Sequence, residues 1–127
     1  MIYNKEPMQV IVDALKDIAK DISIYKEQLN DDLNSIPSSY VVIKTDLTDS
    51  PLLYGDGKAV VRTSDCDIYL TSKGLANRQN SLHNKNIKKI VGALKNNELS
   101  YTKSNLGYDK TNDSTTMVFS VEINYIE

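Results

Sequence analysis

From residue 117 to residue 126 apolar and polar positions alternate. Met117, Phe119, Val121, Ile123 and Tyr125 hold one set, and Val118, Ser120, Glu122, Asn124 and Ile126 the other, with its polar members at 120–124. A period of two predicts a β-strand with one buried face, because successive side chains leave a strand on opposite sides. Burying each odd-numbered side chain contributes about 1.5–3 kcal/mol, gross. A slip by one residue would carry Glu122 and Asn124 inward, so the pattern also specifies the register.

Upstream the period changes. After Pro7, which suits the first position of a helix, Met8, Ile11, Val12, Leu15, Ile18, Ala19 and Ile22 recur at spacings of three and four. Asp13, Lys16, Asp17, Lys20 and Asp21 fill the other face, so an amphipathic helix is expected. Continued through Tyr25, Leu29 and Leu33 it would be about 40 Å long. A chain of this length has a radius of gyration of about 14 Å, so a break near Ser23 or an end near Leu29 is expected. Residues 40–45 are β-branched and read as a strand. Residues 46–57 read as a loop and 58–71 as a long strand. Its even face carries Val60, Cys66, Ile68 and Leu70, with Arg62 and Ser64 interrupting it, which suggests a bulge or an early exit from the core. Residues 77–95 form a second helix with Leu82, Ile87, Ile90, Val91 and Leu94 as its stripe, ended by Asn96-Asn97. Residues 99–103 are a short strand, and 104–114 a polar hairpin tip.

This order, α-β-β-α-β-β, predicts an α+β fold in which two helices pack on an antiparallel sheet of about four strands, in two layers. The 127 residues make one domain.

Composition narrows the function. Net charge is −2 and the pI about 5.4, so the chain as a whole does not attract phosphates, and sequence-specific nucleic-acid binding is not expected. The single cysteine, Cys66, cannot close an internal disulfide. No basic-then-apolar leader and no apolar run near the roughly 20 residues that span a bilayer is present. A cytoplasmic protein, or one assembled into a particle there, is expected.

Candidate chemistry is sparse. Gly55-Asp56-Gly57-Lys58 resembles the end of a phosphate-binding loop, but position 52 is Leu and position 59 is Ala where that loop needs Gly and Ser or Thr. Asp65 and Asp67 lie on one side of a strand, about 6–7 Å apart, where a metal could bridge them. Metal-dependent nucleotidyltransferases use such a pair, but the Gly-Ser opening of an upstream helix is missing here. His83 is the only histidine; pairing it with Cys66 as a nucleophile conflicts with the predicted core position of Cys66. Lys85, Lys88, Lys89 and Lys95 give the second helix a basic, solvated face. Leu52, Leu53 and Tyr54 form an apolar run inside a loop, which either tucks onto the core or meets another subunit.

From Ile36-Pro37 onward the chain resembles the tail terminator (tail completion) proteins of long-tailed bacteriophages and prophages. The resemblance lies in a Gly-Asp-Gly-Lys turn opening a long strand that closes on Asp67-Ile68-Tyr69-Leu70-Thr71. A helix, a short strand and a polar hairpin follow, and the closing strand is Met117 to Tyr125. It implies a structural virion protein with no catalytic residues and no cofactor. Such proteins form a ring, typically of six copies, that caps the tail tube and joins it to the head connector. The implied partners are therefore further copies of the chain, the tail tube protein and the connector protein. The implied location is the virion neck, after assembly in the bacterial cytoplasm. Mild acidity would let DNA pass through the lumen without sticking. The intersubunit surface expected on this reading is Leu52, Leu53, Tyr54 and Arg62. Another head–tail joining or minor tail protein is the nearest alternative, and a metal-dependent nucleotidyltransferase or nuclease using Asp65 and Asp67 the more distant one.

Overall fold

The computed structural model describes residues 2–28, 36–45, 50–53, 60–74, 81–104 and 107–126. In chain order the elements are β1 (Ile2–Tyr3), α1 (Pro7–Ala14), β2 (Ser23–Lys26), β3 (Ser39–Thr45), β4 (Ser50–Leu53), β5 (Val60–Lys73), α2 (Ser81–Asn96), β6 (Tyr101–Lys103), β7 (Gly107–Asp109) and β8 (Ser114–Ile126).

The sheet is built on β5 and β8. They run antiparallel without a skipped residue, from Val61 opposite Ile126 to Lys73 opposite Ser114. The interruption expected at Arg62 and Ser64 does not occur: Ser64 is buried on the core face and the ladder passes straight through it. The outer edge of β8 carries β7, β6 and, in parallel, β1. The outer edge of β5 carries β4 and β3, and β2 joins β3 in parallel.

This corrects the expected architecture. The chain is mostly β, and its strands form one mixed, curled sheet close to a half-barrel with two helices, not a two-layer antiparallel sheet of about four strands. Four strands escape the sequence pattern. Two to four residues are too short to show a period, and β1, β2, β4 and β7 are no longer than that. They form because the long strands offer unsatisfied N–H and C=O groups along their edges, which a neighbouring extended segment can fill. The curl follows from the length of β5 and β8, since right-handed twist accumulates along strands of 14 and 13 residues.

The first helix is also shorter than expected. It ends at Ala14, and residues 15–22 continue as irregular turns whose bonds mix three- and four-residue spacings, such as Ile18 N to Leu15 O and Ile22 N to Ile18 O. Ile22 is the last residue of the 3.6 pattern, and Ser23, Ile24 and Tyr25 then enter β2. β-branched isoleucines flanking a serine favour the extended backbone over another helical turn. Leu29 and Leu33 lie outside the described residues.

The core lies on one face of the sheet. Val41 and Ile43 of β3, Cys66, Ile68 and Leu70 of β5, and Met117, Phe119, Val121 and Ile123 of β8 form a single cluster with Val10, Ile11, Ala14, Leu15, Ile22, Ile90, Leu94 and Leu99. The odd face of β8 is thus inside, as its alternation predicts. The stripe on α1 is rotated from the expected one, with Val10 and Ala14 buried beside Ile11, and Ala19 is exposed in the turns that follow. On α2, Leu82 is 45% exposed, and the inward face instead runs His83, Asn86, Ile90, Leu94. After α2 the chain turns at Glu98, which has φ 57°, and Leu99 N reaches back to Leu94 O at 2.9 Å. That six-to-one bond closes the helix as a Schellman turn with Glu98, rather than Asn97, in the left-handed position. The hairpin expected around Gly107 turns three residues later, at 110–113, with Asp109 Oδ1 accepting from Thr111 N at 2.9 Å.

Phe119 is fully buried at the centre of this cluster, edge-on to Tyr101. Phe119→Ala is expected to lower unfolding free energy in urea by about 3–5 kcal/mol. Glu122→Lys, on the opposite face, should stay within about 0.5 kcal/mol of the parent chain.

Candidate functional site

The face of the sheet away from the core presents cross-strand rows fixed by the register. At one end Leu52 of β4, Val61 of β5 and Ile126 of β8 stand opposite one another. Val61 is buried, but Ile126 is 42% exposed, and Ile2, in register with Asn124, is 44% exposed one diagonal step away. Next come Thr63 and Asn124, joined by a 2.8 Å hydrogen bond from Thr63 Oγ1 to Asn124 Oδ1. The following row pairs Asp65 with Glu122, both exposed. Then Lys44, Asp67 and Ser120 align, and Ser120 Oγ donates to Asp67 Oδ1 at 2.8 Å. Beyond them Tyr25, Val42, Tyr69 and Val118 form an aromatic and apolar row, with Lys44 Nζ 5.0 Å from the Tyr69 ring centre. Tyr40 follows, edge-on to Tyr25. Both helices pack on the opposite face.

Of the sequence-predicted interface residues, only Leu52 falls in the first of these rows; the register puts Leu53 and Arg62 on the other face of the sheet. Leu52 and Leu53 belong to strand β4 instead of a loop, opposite Val61 and Val60. Arg62, half-buried, sits between Pro51 and Tyr125 in the ladder. Tyr54, like the Gly55-Asp56-Gly57-Lys58 turn, lies outside the described residues. β4 bonds to β5 alone among the described strands, and Pro51 on such an edge has no N–H to offer an added strand.

Asp65 and Asp67 do share one side of β5. Each already has a neighbour of its own: Glu122 faces Asp65, while Ser120 and Lys44 flank Asp67. Among the described residues no group of three or more His, Cys, Asp or Glu side chains converges as a metal site. Cys66 is fully buried in the core cluster. It is six residues along β5 from Ser72, the hydrogen-bond partner of His83, which places it about 20 Å from that contact. On α2, Lys85, Lys88 and Lys95 are exposed and Lys89 forms a 3.6 Å ion pair with Asp21.

One cluster was not legible in the sequence pattern. His83 and Asn86 occupy the inward face of the first turns of α2, and both are buried. His83 Nδ1 lies 2.6 Å from Ser72 Oγ, Ser72 Oγ lies 2.8 Å from Ser39 Oγ, and Asn86 Nδ2 donates to Ser39 Oγ at 2.8 Å. The Asn86 amide donates to Ser39, and because each serine hydroxyl can both donate and accept, the contacts run unbroken from α2 through β3 and β5 back to His83 Nδ1. Burial lowers the pKa of His83 below its ordinary 6.5, because the charged ring would lose its hydration. Ser72 and His83 are 1% and 0% exposed, so this serine–histidine pair is closed to a substrate and acts as a tie between α2 and the β3–β5 ladder. The signal for it lay in spacing: His83, Asn86, Ile90 and Leu94 share one helical face, and Ser72 extends the even face of β5 by one more position.

No known protein family matches the chain, and no curated protein is significantly similar to it.

The buried imidazole predicts an acid sensitivity. Its folded-state pKa is lower than its unfolded one, so below about pH 6.5 the unfolded chain binds a proton that the folded chain refuses, and stability falls as pH falls. Between pH 7.5 and 5.5, above most carboxylate titration, urea unfolding should lose at most about 1.4 kcal/mol per pH unit below 6.5. His83→Gln should be less stable at pH 7.5, by about 1–3 kcal/mol, and lose this slope.

Proposed function

We propose that the chain is a structural virion subunit, a tail terminator that forms a ring with copies of itself, caps the tail tube and joins it to the head connector. The observation that carries this reading is the apolar end of the helix-free face. Ile2 and Ile126 are both more than two-fifths exposed, and they stand beside the Leu52–Val61–Ile126 row. Large apolar side chains grouped at a surface gain about 25 cal/mol for each Å² that a partner covers, so the group favours association. The order of the long strands supports the same reading. A long strand β5, the helix α2, the short strands β6 and β7 and the long alternating strand β8 follow one another, an order compatible with the tail-terminator pattern.

The group lies on one side of the domain, next to strand β4. A ring is made by heterologous contacts, in which one patch meets a different patch on the next copy and the rotation closes. The row of β4, β5 and β8 supplies one such patch, with Leu52 in register and Ile2 one diagonal step from Ile126. The tail tube and the connector would then meet the two rims of the ring.

Light scattering on a size-exclusion column, with negative-stain microscopy, tests the reading. The parent chain should elute as a closed oligomer with a central hole. Ile126→Asp and Ile2→Asp should each shift it toward a monomer while circular dichroism stays unchanged. A parent chain that is monomeric up to its solubility limit would refute the ring.

A further inference from the structure

The ring has a second requirement, a complement for the helix-free face, and α2 carries one. From Ser81 to Asn96 this helix contains Lys85, Lys88, Lys89 and Lys95 and no carboxylate. Its inward side is committed to His83, Asn86, Ile90 and Leu94, so the lysines stand on the side turned away from the sheet, with Leu82 exposed near its start. Among the described residues, Lys89 pairs with Asp21 at 3.6 Å, and Lys85, Lys88 and Lys95 are exposed.

The helix-free face has the opposite character. Asp65 and Glu122 are exposed and directly opposite on adjacent strands, an arrangement that repels within one copy. Asp67 adds a third carboxylate in the next row, where Lys44 answers it. The apolar row Leu52–Val61–Ile126 lies two rows from the Asp65–Glu122 pair on the same face, so charge and apolar surface are continuous.

These two surfaces point in opposite directions, because α2 packs against the other face of the sheet. One copy cannot bring them together on itself. A two-fold dimer through either would set like charge on like charge. A head-to-tail contact sets lysines on carboxylates and repeats from copy to copy; it is a heterologous contact, which closes into a ring where the rotation from copy to copy divides a full turn. We propose that the lysine face of α2, through Lys85 and Lys88, docks on the Asp65–Glu122 face of the next copy. This inference rests on the ring reading and names its two mating surfaces.

Reciprocal charge reversal tests it. One variant carries Lys85→Glu and Lys88→Glu, the other Asp65→Lys and Glu122→Lys; all four positions are exposed, and circular dichroism reports whether each variant folds. Each variant alone should lose the ring at 0.15 M salt, with at least a tenfold weaker association constant by sedimentation. The equimolar mixture should restore it, since each reversed helix then meets an oppositely charged face and copies alternate around an even-numbered ring. Raising salt should weaken the parent ring. Two outcomes overturn the contact: reversal variants that assemble like the parent, or a mixture that stays dissociated. If the variants assemble normally while Ile126→Asp does not, the ring stands and this contact falls. A parent chain that never assembles removes both.

Discussion

The antiparallel ladder between β5 and β8 is the constraint on which the other elements depend. It joins residues far apart in sequence, and every pair from Val61–Ile126 to Lys73–Ser114 is in place. Because side chains alternate strictly along both strands, one register sends Cys66, Ile68, Leu70, Phe119, Val121 and Ile123 to the core and leaves Asp65, Asp67 and Glu122 outside. A shift by one position would reverse both faces together. The ladder also creates the edges on which β1, β3, β4, β6 and β7 assemble, so the breadth of the sheet follows from the length of its two central strands.

Helix α2 is held to that sheet by two kinds of contact. Its second half is apolar, with Ile90 and Leu94 fully buried. Its first half is polar and tied by the His83–Ser72–Ser39–Asn86 chain. Apolar packing alone tolerates small rotations of a helix, whereas a buried hydrogen-bond chain requires each donor to meet its acceptor. The chain therefore sets the rotation of α2, and with it the outward direction of Lys85 and Lys88. A buried structural tie thereby controls which charges the surface displays.

Much of the candidate surface could be read from residue order. The shared side of Asp65 and Asp67, the outward Glu122 and the lysines of α2 all follow from period two or period 3.6. Leu52 and Leu53 were visible as an apolar run, but their place in a strand was not, since four residues beginning Ser-Pro carry turn signals. Period two turned Ile126 outward with Glu122, but Ile2 carried no signal. Each is an ordinary apolar residue near an end of the chain, and only the pairing of β1 with β8 puts them side by side. The stripe on α2 was misplaced for a related reason: drawn through apolar residues alone, it picks Leu82 over its polar neighbour His83.

The sequence by itself determined the long elements: the buried face of β8, the course of β3 and β5, the presence of α2 and the Pro7 start of α1. Each is long enough, or capped clearly enough, for its own side chains to dictate backbone and orientation. Tertiary structure decided the rest: where α1 stops, the short strands at the sheet edges, the mixed and curled sheet, and the burial of His83. Those features depend on hydrogen-bonding partners and packing surfaces supplied by distant residues, and a local pattern holds no record of what lies across the fold.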